Sequence, residues 1–395
     1  MRRALLSCCL ALAFGTRDAF ALPTIEGVVQ PTNLAVTTIN LDRAGVVWHT
    51  EQSTDTESTF FRLHFSDIAA SPNADFSVRI RNRANQPVIE VPSSEFTKTT
   101  DYWTTYVSGT YALIEIDNHR AAPATQVSLR LADVAIERRG ARVLSFQDKN
   151  NPKDLPVVFY DDNAGLTAAA RSVAKLRFQQ NMLLLSCTGF LVGPDLMVTN
   201  QHCFDTAESC ATAIAQFGYQ VDRDRNLSQG EEYRCEEVED SDQGLDFTLI
   251  KLKGNPGARW GVLQWESAAP PSGTAVYVVQ HPGGEPKRVA LDGCVVKTAS
   301  AVGGIAGQQT DFGHTCDTEE GSSGSPVFDM NNHVIGLHHL GFSLNDPQWL
   351  KENRAVKAAC IRDRIAHFAQ ETRSTNDQGG LHGRAKANPK RHHDR

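Results

Sequence analysis

Glu320-Gly321-Ser322-Ser323-Gly324-Ser325-Pro326-Val327-Phe328 sets a serine-rich loop between two glycines and runs straight into an apolar strand. Gly321 and Gly324 permit backbone angles that a side chain resists, so the loop can close tightly around Ser323 and turn N–H groups inward. Upstream, Cys187-Thr188-Gly189-Phe190-Leu191-Val192 and Val198-Thr199-Asn200-Gln201-His202-Cys203 read as apolar strands, the second ending in a histidine. Asp246-Phe247-Thr248-Leu249-Ile250-Lys251-Leu252 opens another strand with an aspartate. The order is His202, Asp246, Ser323, with separations of 44 and 77 positions. Each piece alone has a plain structural reading: a core histidine, a solvated aspartate, a tight turn. The joint pattern, with every polar residue beside an apolar strand, is far more specific.

Those residue types answer the needs of amide hydrolysis by a hydroxyl. A weak nucleophile must lose its proton as it attacks, so a base with a pKa near neutrality has to touch it, and histidine is suited to that. The imidazole must be held in one tautomer and stabilised once cationic, which a buried carboxylate does. The tetrahedral intermediate needs fixed donors for its negative oxygen, and backbone N–H groups supply them. On this reading His202 is the base, Asp246 the orienting acid and Ser323 the nucleophile, with the N–H groups of Gly321 and Ser323 as the oxyanion hole.

The three motifs resemble those of the trypsin/chymotrypsin serine protease superfamily, and residues 321–326 are most similar to its bacterial glutamyl and lysyl endopeptidase branches. The resemblance covers about residues 172 to 370. It implies an all-β fold: a double six-stranded antiparallel β-barrel with a C-terminal helix and the triad in the cleft between barrels. It also implies a Cys187–Cys203 disulfide bracketing the histidine loop, with Cys210–Cys235 and Cys294–Cys316 as the remaining pairs and Cys360 free. Many family members place an aspartate directly before the nucleophile to receive a newly cut N-terminus; Ser322 stands there instead. In the family, the positions of Asp317, Thr318 and His338 line the primary substrate pocket. Thr318 and His338 fit a glutamate-binding pocket, whereas Asp317 fits one for Arg or Lys, or His338 neutralises Asp317; both preferences stay open.

Working outward, the chain has 395 residues, 41% hydrophobic and 22% charged, enough apolar material for more than one core. Arg2, Arg3 and the short apolar run Ala4–Gly15, followed by Ala19-Phe20-Ala21, read as a signal peptide (1–21) cleaved after Ala21. That run is too short to span a bilayer, so the expectation is a secreted or periplasmic protein without membrane insertion. Seven cysteines remain after residue 21, none before 187, and no Cys-x-x-Cys spacing points to zinc; no metal or cofactor is expected. The net charge of -7 argues against a nucleic-acid partner. The expected partners are protein or peptide substrates.

Residues 22–150 alternate apolar and polar positions in short runs, as in Phe76-Ser77-Val78-Arg79-Ile80 and Tyr111-Ala112-Leu113-Ile114-Glu115-Ile116, and predict an N-terminal β-sandwich-like accessory or pro-domain. Residues 151–172 read as a linker and 173–371 as the protease domain. In that domain Ile361, Ile365, Ala366 and Phe368 mark a helix, and 372–395 forms a basic, disordered tail. If the first domain is a pro-domain, the active form starts between roughly 155 and 175. The alternative from another class is a catalytically inactive protease-like binding or adhesion module; against it, every triad position holds the residue the chemistry requires. A periplasmic housekeeping protease would keep the chemistry and change the role.

Overall fold

The apolar runs around the three motifs form the walls of two barrels. The computed structural model describes residues 23–32, 34–54, 58–138, 154–204, 207–266, 270–303, 308–341, 352–366 and 368. The segments read as a signal peptide (1–21) and a basic tail (372–395) lie outside the described residues.

The first barrel is closed. Its antiparallel strands run Val173–Gln180, Ile214–Phe217, Glu231–Asp242, Phe247–Leu252, Leu196–Thr199 and Leu183–Leu191, and the last pairs back onto the first with Val173 opposite Phe190. Alternation places Ala174, Leu176 and Phe178 inward with Leu185, Met197, Phe217 and Ile250. The second half is an eight-stranded sheet curled into a half-barrel, ordered Asp154–Pro156, Arg288–Ala290, Val276–Gln280, Pro326–Asp329, Val334–Leu340, Asn353–Lys357, Asp311–His314 and Val296–Ala301. With the first barrel it is consistent with the expected double-barrel fold. Its last strand, Val296–Ala301, returns to the third, Val276–Gln280, at the Ala275–Val295 bridge, with Val276 N–H donating to Cys294 O at 3.1 Å and Val296 N–H to Thr274 O at 2.9 Å. A helix over 358–366 follows, and its Ile361 and Ile365 enter the core shared by the two halves with Phe190, Val198, Phe247, Tyr277 and Leu337.

Cys187–Cys203, Cys210–Cys235 and Cys294–Cys316 are bonded, and Cys360 is a half-buried free thiol. Among the described residues no helix is long and apolar enough to cross a membrane.

The N-terminal region is sandwich-like, as its alternation predicts. One sheet orders Gly45–Ser53, Tyr111–Asn118, Phe76–Arg81 and Pro87–Pro92; facing it are Ser58–Ala70 and Gln126–Arg138. Phe61, Leu63, Phe65, Val78, Ile80, Ile114, Ile116 and Leu131 fill the space between. The sandwich does not stand apart from the barrels, however. Strand Thr24–Pro31 pairs on one edge with Gln126–Arg138, Gly27 opposite Glu137, and on the other with Leu183–Leu191, Thr24 opposite Ser186. Sandwich sheet and first barrel are one continuous hydrogen-bonded sheet.

The segment read as a linker, 151–172, is also built in where it is described. Asp154–Pro156 adds an edge strand to the second sheet, and helix Ala164–Arg171 buries Leu166, Ala169 and Ala170 in the core between the halves. Asn163 reads as a chain break, yet it caps this helix: its Oδ1 accepts the Leu166 N–H at 3.0 Å.

Candidate active site

Strand pairing brings the first two candidate residues together. Leu196–Thr199 lies beside Phe247–Leu252 with Thr199 opposite Thr248, so the turn after the one and the residue before the other meet at the same barrel end. His202 sits on that turn. Its backbone N–H donates to Asp246 Oδ1 at 3.0 Å and its Nδ1 to Asp246 Oδ2 at 2.8 Å, which leaves Nε2 as the ring's basic nitrogen. Asp246 is buried at 4% exposure and held at φ 47°, a left-handed conformation unusual for a non-glycine residue. Asn200 Nδ2 ties down its carbonyl at 2.8 Å. Burial pushes the Asp246 carboxyl up, but the charges and hydrogen bonds of His202 and His339 outweigh it and hold the group well below the usual carboxylate range.

The Ser323 loop is fastened at nearly every residue. Gly321 and Gly324 take φ of 84° and 86°, as their glycine identity anticipates. Neither has room for a side chain: a Cβ on Gly324 would lie 2.0 Å from Thr188 O. Ser323 O accepts the Thr188 N–H at 2.8 Å, and Gly321 O accepts the Thr188 hydroxyl at 2.8 Å. The N–H groups of Ser322 and Gly324 are directed to Glu319 O and His338 O, each at 3.0 Å. Those of Gly321 and Ser323 alternate with them along the loop. Ser322 accepts the Glu319 N–H on its Oγ at 3.0 Å. Ser322 and Ser323 are fully buried.

One residue the sequence reading passed over stands directly behind Asp246. His339 is 2% exposed; its Nδ1 lies 3.1 Å from Asp246 Oδ2 and its Nε2 2.8 Å from Asp311 Oδ2. Two carboxylate partners require both ring nitrogens to donate, so the ring is an imidazolium. Burial pushes its pKa down, but Asp311 and Asp246 outweigh this and raise it to about 9. The only signal in the sequence is the doublet His338-His339. In a strand, neighbouring side chains point to opposite faces, so the two histidines serve different places.

His338 is fully buried, and its Nδ1 lies 3.1 Å from His314 Nε2, a second buried histidine that sequence reading did not use. Burial drives both toward the neutral form: His338 falls well below the ordinary value and His314 to about 3. His338 is therefore not a standing countercharge for Asp317, one of the arrangements expected above. Its backbone also holds the nucleophile loop, accepting from Gly324 and donating to Ser325 O at 2.9 Å. Asp317 and Thr318 are half-buried just before the loop, and Asp317 O accepts Gln280 Nε2 at 2.9 Å.

Comparison with known proteins places this geometry. Residues 187–337 match the family described as the trypsin-like peptidase domain. The chain is 31% identical over 185 residues to secreted RxLR effector protein 73 of Plasmopara viticola, covering 44% of this chain and 46% of the relative. It is 24% identical over 199 residues to glutamyl endopeptidase of Staphylococcus aureus, covering 48% of this chain and 56% of the relative. The chain thus spans about half the length of these curated relatives. A solved Glu endopeptidase aligns with a TM-score of 0.41 at 22% identity, over 56% of this chain and 98% of that one. By the match over residues 187–337, that part of the chain is similar to the trypsin-like peptidase domain.

Proposed function

We propose that the chain is an exported serine endopeptidase that works through an acyl-enzyme, with Ser323 as nucleophile, His202 as base and Asp246 as its orienting acid. The observation that carries this is the His202–Asp246 pair, with ring nitrogen and backbone N–H of one residue held by both oxygens of the other. Ser323 Oγ attacks the scissile carbonyl while its proton passes to His202 Nε2. Asp246 fixes the tautomer and stabilises the imidazolium. The N–H groups of Gly321 and Ser323 receive the oxyanion. His202 then hands the proton to the leaving amine, and water, deprotonated by the same nitrogen, hydrolyses the acyl ester. Cysteine pairing in three disulfides suits an oxidising compartment outside the cytosol.

The residue before the scissile bond is proposed to be glutamate. His338, backed by His314, is a neutral buried ring that a substrate carboxylate would draw into the protonated form, and the Staphylococcus aureus relative carries the name glutamyl endopeptidase. A fluorophosphonate probe should label the secreted protein at Ser323, and Ser323→Ala should abolish labelling and lower turnover by on the order of a million-fold. Undiminished turnover in that variant would remove the proposal. A peptide library showing cleavage after Arg or Lys would reassign the pocket to Asp317.

A further inference from the structure

The strand Thr24–Pro31 reaches past the sandwich and ends against the loops that shape the nucleophile. Glu26, on that strand, is 6% exposed and faces two cations on barrel strand Val173–Gln180, Lys175 and Arg177, each 1% exposed. Lys175 Nζ contacts Glu26 Oε1, and Arg177 Nε lies 3.2 Å from Glu26 Oε2. Arg177 Nη2 reaches Glu137 of the sandwich strand Gln126–Arg138 at 3.4 Å. Two buried cations of the barrel are thus balanced by two carboxylates of the N-terminal region.

From Glu26 a short run of contacts leads to the oxyanion loop. Lys175 Nζ donates to Gly284 O at 2.5 Å. Gly283 and Gly284 turn with φ of 59° and 69°, and a Cβ on Gly284 would lie 2.0 Å from Glu26 Oε1, so the carboxylate occupies the space beside that turn. Gly283 N–H donates to Glu320 O at 2.7 Å, and Gly284 N and His281 O both press on Gly321: a Cβ there would lie 3.2 and 2.9 Å from them. Thr24, two residues before Glu26, is on the same spot, its Oγ1 2.8 Å from that Cβ position. Gly321 is one of the two residues whose N–H groups form the proposed oxyanion hole.

We propose that Glu26, with Thr24, is a positioning residue for the oxyanion loop, and that the active enzyme therefore retains strand Thr24–Pro31 rather than discarding it with a pro-domain. The loop has Ser322 where an ion pair with a newly cut N-terminus would form, so its shape has to be imposed from elsewhere, and the Glu26–Lys175 pair packed on the 281–285 turn does this. The inference rests on the endopeptidase reading above.

The test uses the full secreted chain, wild type and Glu26→Gln, with kcat and KM on a cleavable peptide, affinity for a peptide boronate, and thermal melting. Removing one oxyanion donor costs on the order of a hundred- to thousandfold in kcat, so displacing the loop should lower kcat by about tenfold or more. KM should stay within about twofold, and boronate affinity should weaken in step with kcat, because only tetrahedral species use the hole. A folded Glu26→Gln protein with wild-type kcat and boronate affinity would overturn the inference. A measurement without any variant applies even if Glu26→Gln does not fold: the intact mass of the fluorophosphonate-labelled wild-type species. Retention of residues 24–31 in the labelled species supports the inference, and an active species lacking them overturns it. Failure of the wild type to label at Ser323 would instead defeat the endopeptidase reading itself.

Discussion

Replacing His339 by glutamine removes the buried cation between Asp246 and Asp311 while keeping one N–H donor of similar reach. The titratable groups around this ring are Asp246 and His202 from the first barrel and Asp311, His314, His338 and Cys360 from the second half. Folding raises the His339 pKa from 6.5 to about 9, and at 1.36 kcal/mol per pH unit this corresponds to about 3 kcal/mol. That figure agrees with the roughly 3–5 kcal/mol lost when one partner of a buried ion pair is removed. The sign follows from the direction of the shift. Between pH 6.5 and 9 the native state holds a proton that the unfolded chain has released, so this stabilisation is complete below 6.5 and fades as pH rises through about 9. Urea unfolding of wild type and His339→Gln should therefore differ by about 3 kcal/mol at pH 6 and by less than about 1 kcal/mol at pH 10. Other groups titrating in this window, Lys287 among them, are common to both proteins and cancel in the difference. An equal stability difference at both pH values would refute a charged His339.

Two further predictions concern other groups. Asp246→Asn keeps the shape of the His202 contact but no longer selects the Nδ1–H tautomer, and should reduce kcat/KM by about ten-thousandfold at neutral pH in a peptide assay. Lys287 is fully buried with Nζ on Ala170 O at 2.7 Å, and burial, with Arg171 nearby, lowers its pKa from 10.5 to about 7. Here the unfolded chain binds the extra proton, so the native state loses stability as pH falls from 10.5 toward 7. Lys287→Met should raise the melting temperature by about 2 °C or more at pH 6 and change it little at pH 10.5.

The barrel half of the molecule is legible in the sequence because its signals are local. Gly321 and Gly324 sit where φ must be positive, the runs after Leu183, Leu196 and Phe247 are apolar enough to be strands buried on both faces, and His202 and Asp246 each adjoin such a run. The alternation in residues 60–131 likewise announces the sandwich. Misreadings occurred where a residue's local preference is shared by two structures. Asp161-Asp162-Asn163 suits a break and equally suits the start of a helix, and only the burial of Leu166, Ala169 and Ala170 decides between them.

The polar contacts that organise the site are not legible in the sequence for a different reason. His339 meets Asp246 and Asp311 across 93 and 28 positions, and Glu26 meets Lys175 across the seam between sandwich and barrel. An isolated Glu-x-x or His-His carries no mark of its partner.

The linear chain by itself determined most of the strand and loop conformations and the likeness of residues 187–337 to trypsin-like peptidases, since φ preference and apolar periodicity act over a few neighbouring positions. Only the tertiary structure decided which buried groups face one another: that a second imidazole backs Asp246, and that Glu26 meets Lys175 while Thr24 packs beside Gly321. Ionisation and positioning of buried groups depend on desolvation and on charges within a few ångströms, and those distances exist only once the sheets have paired.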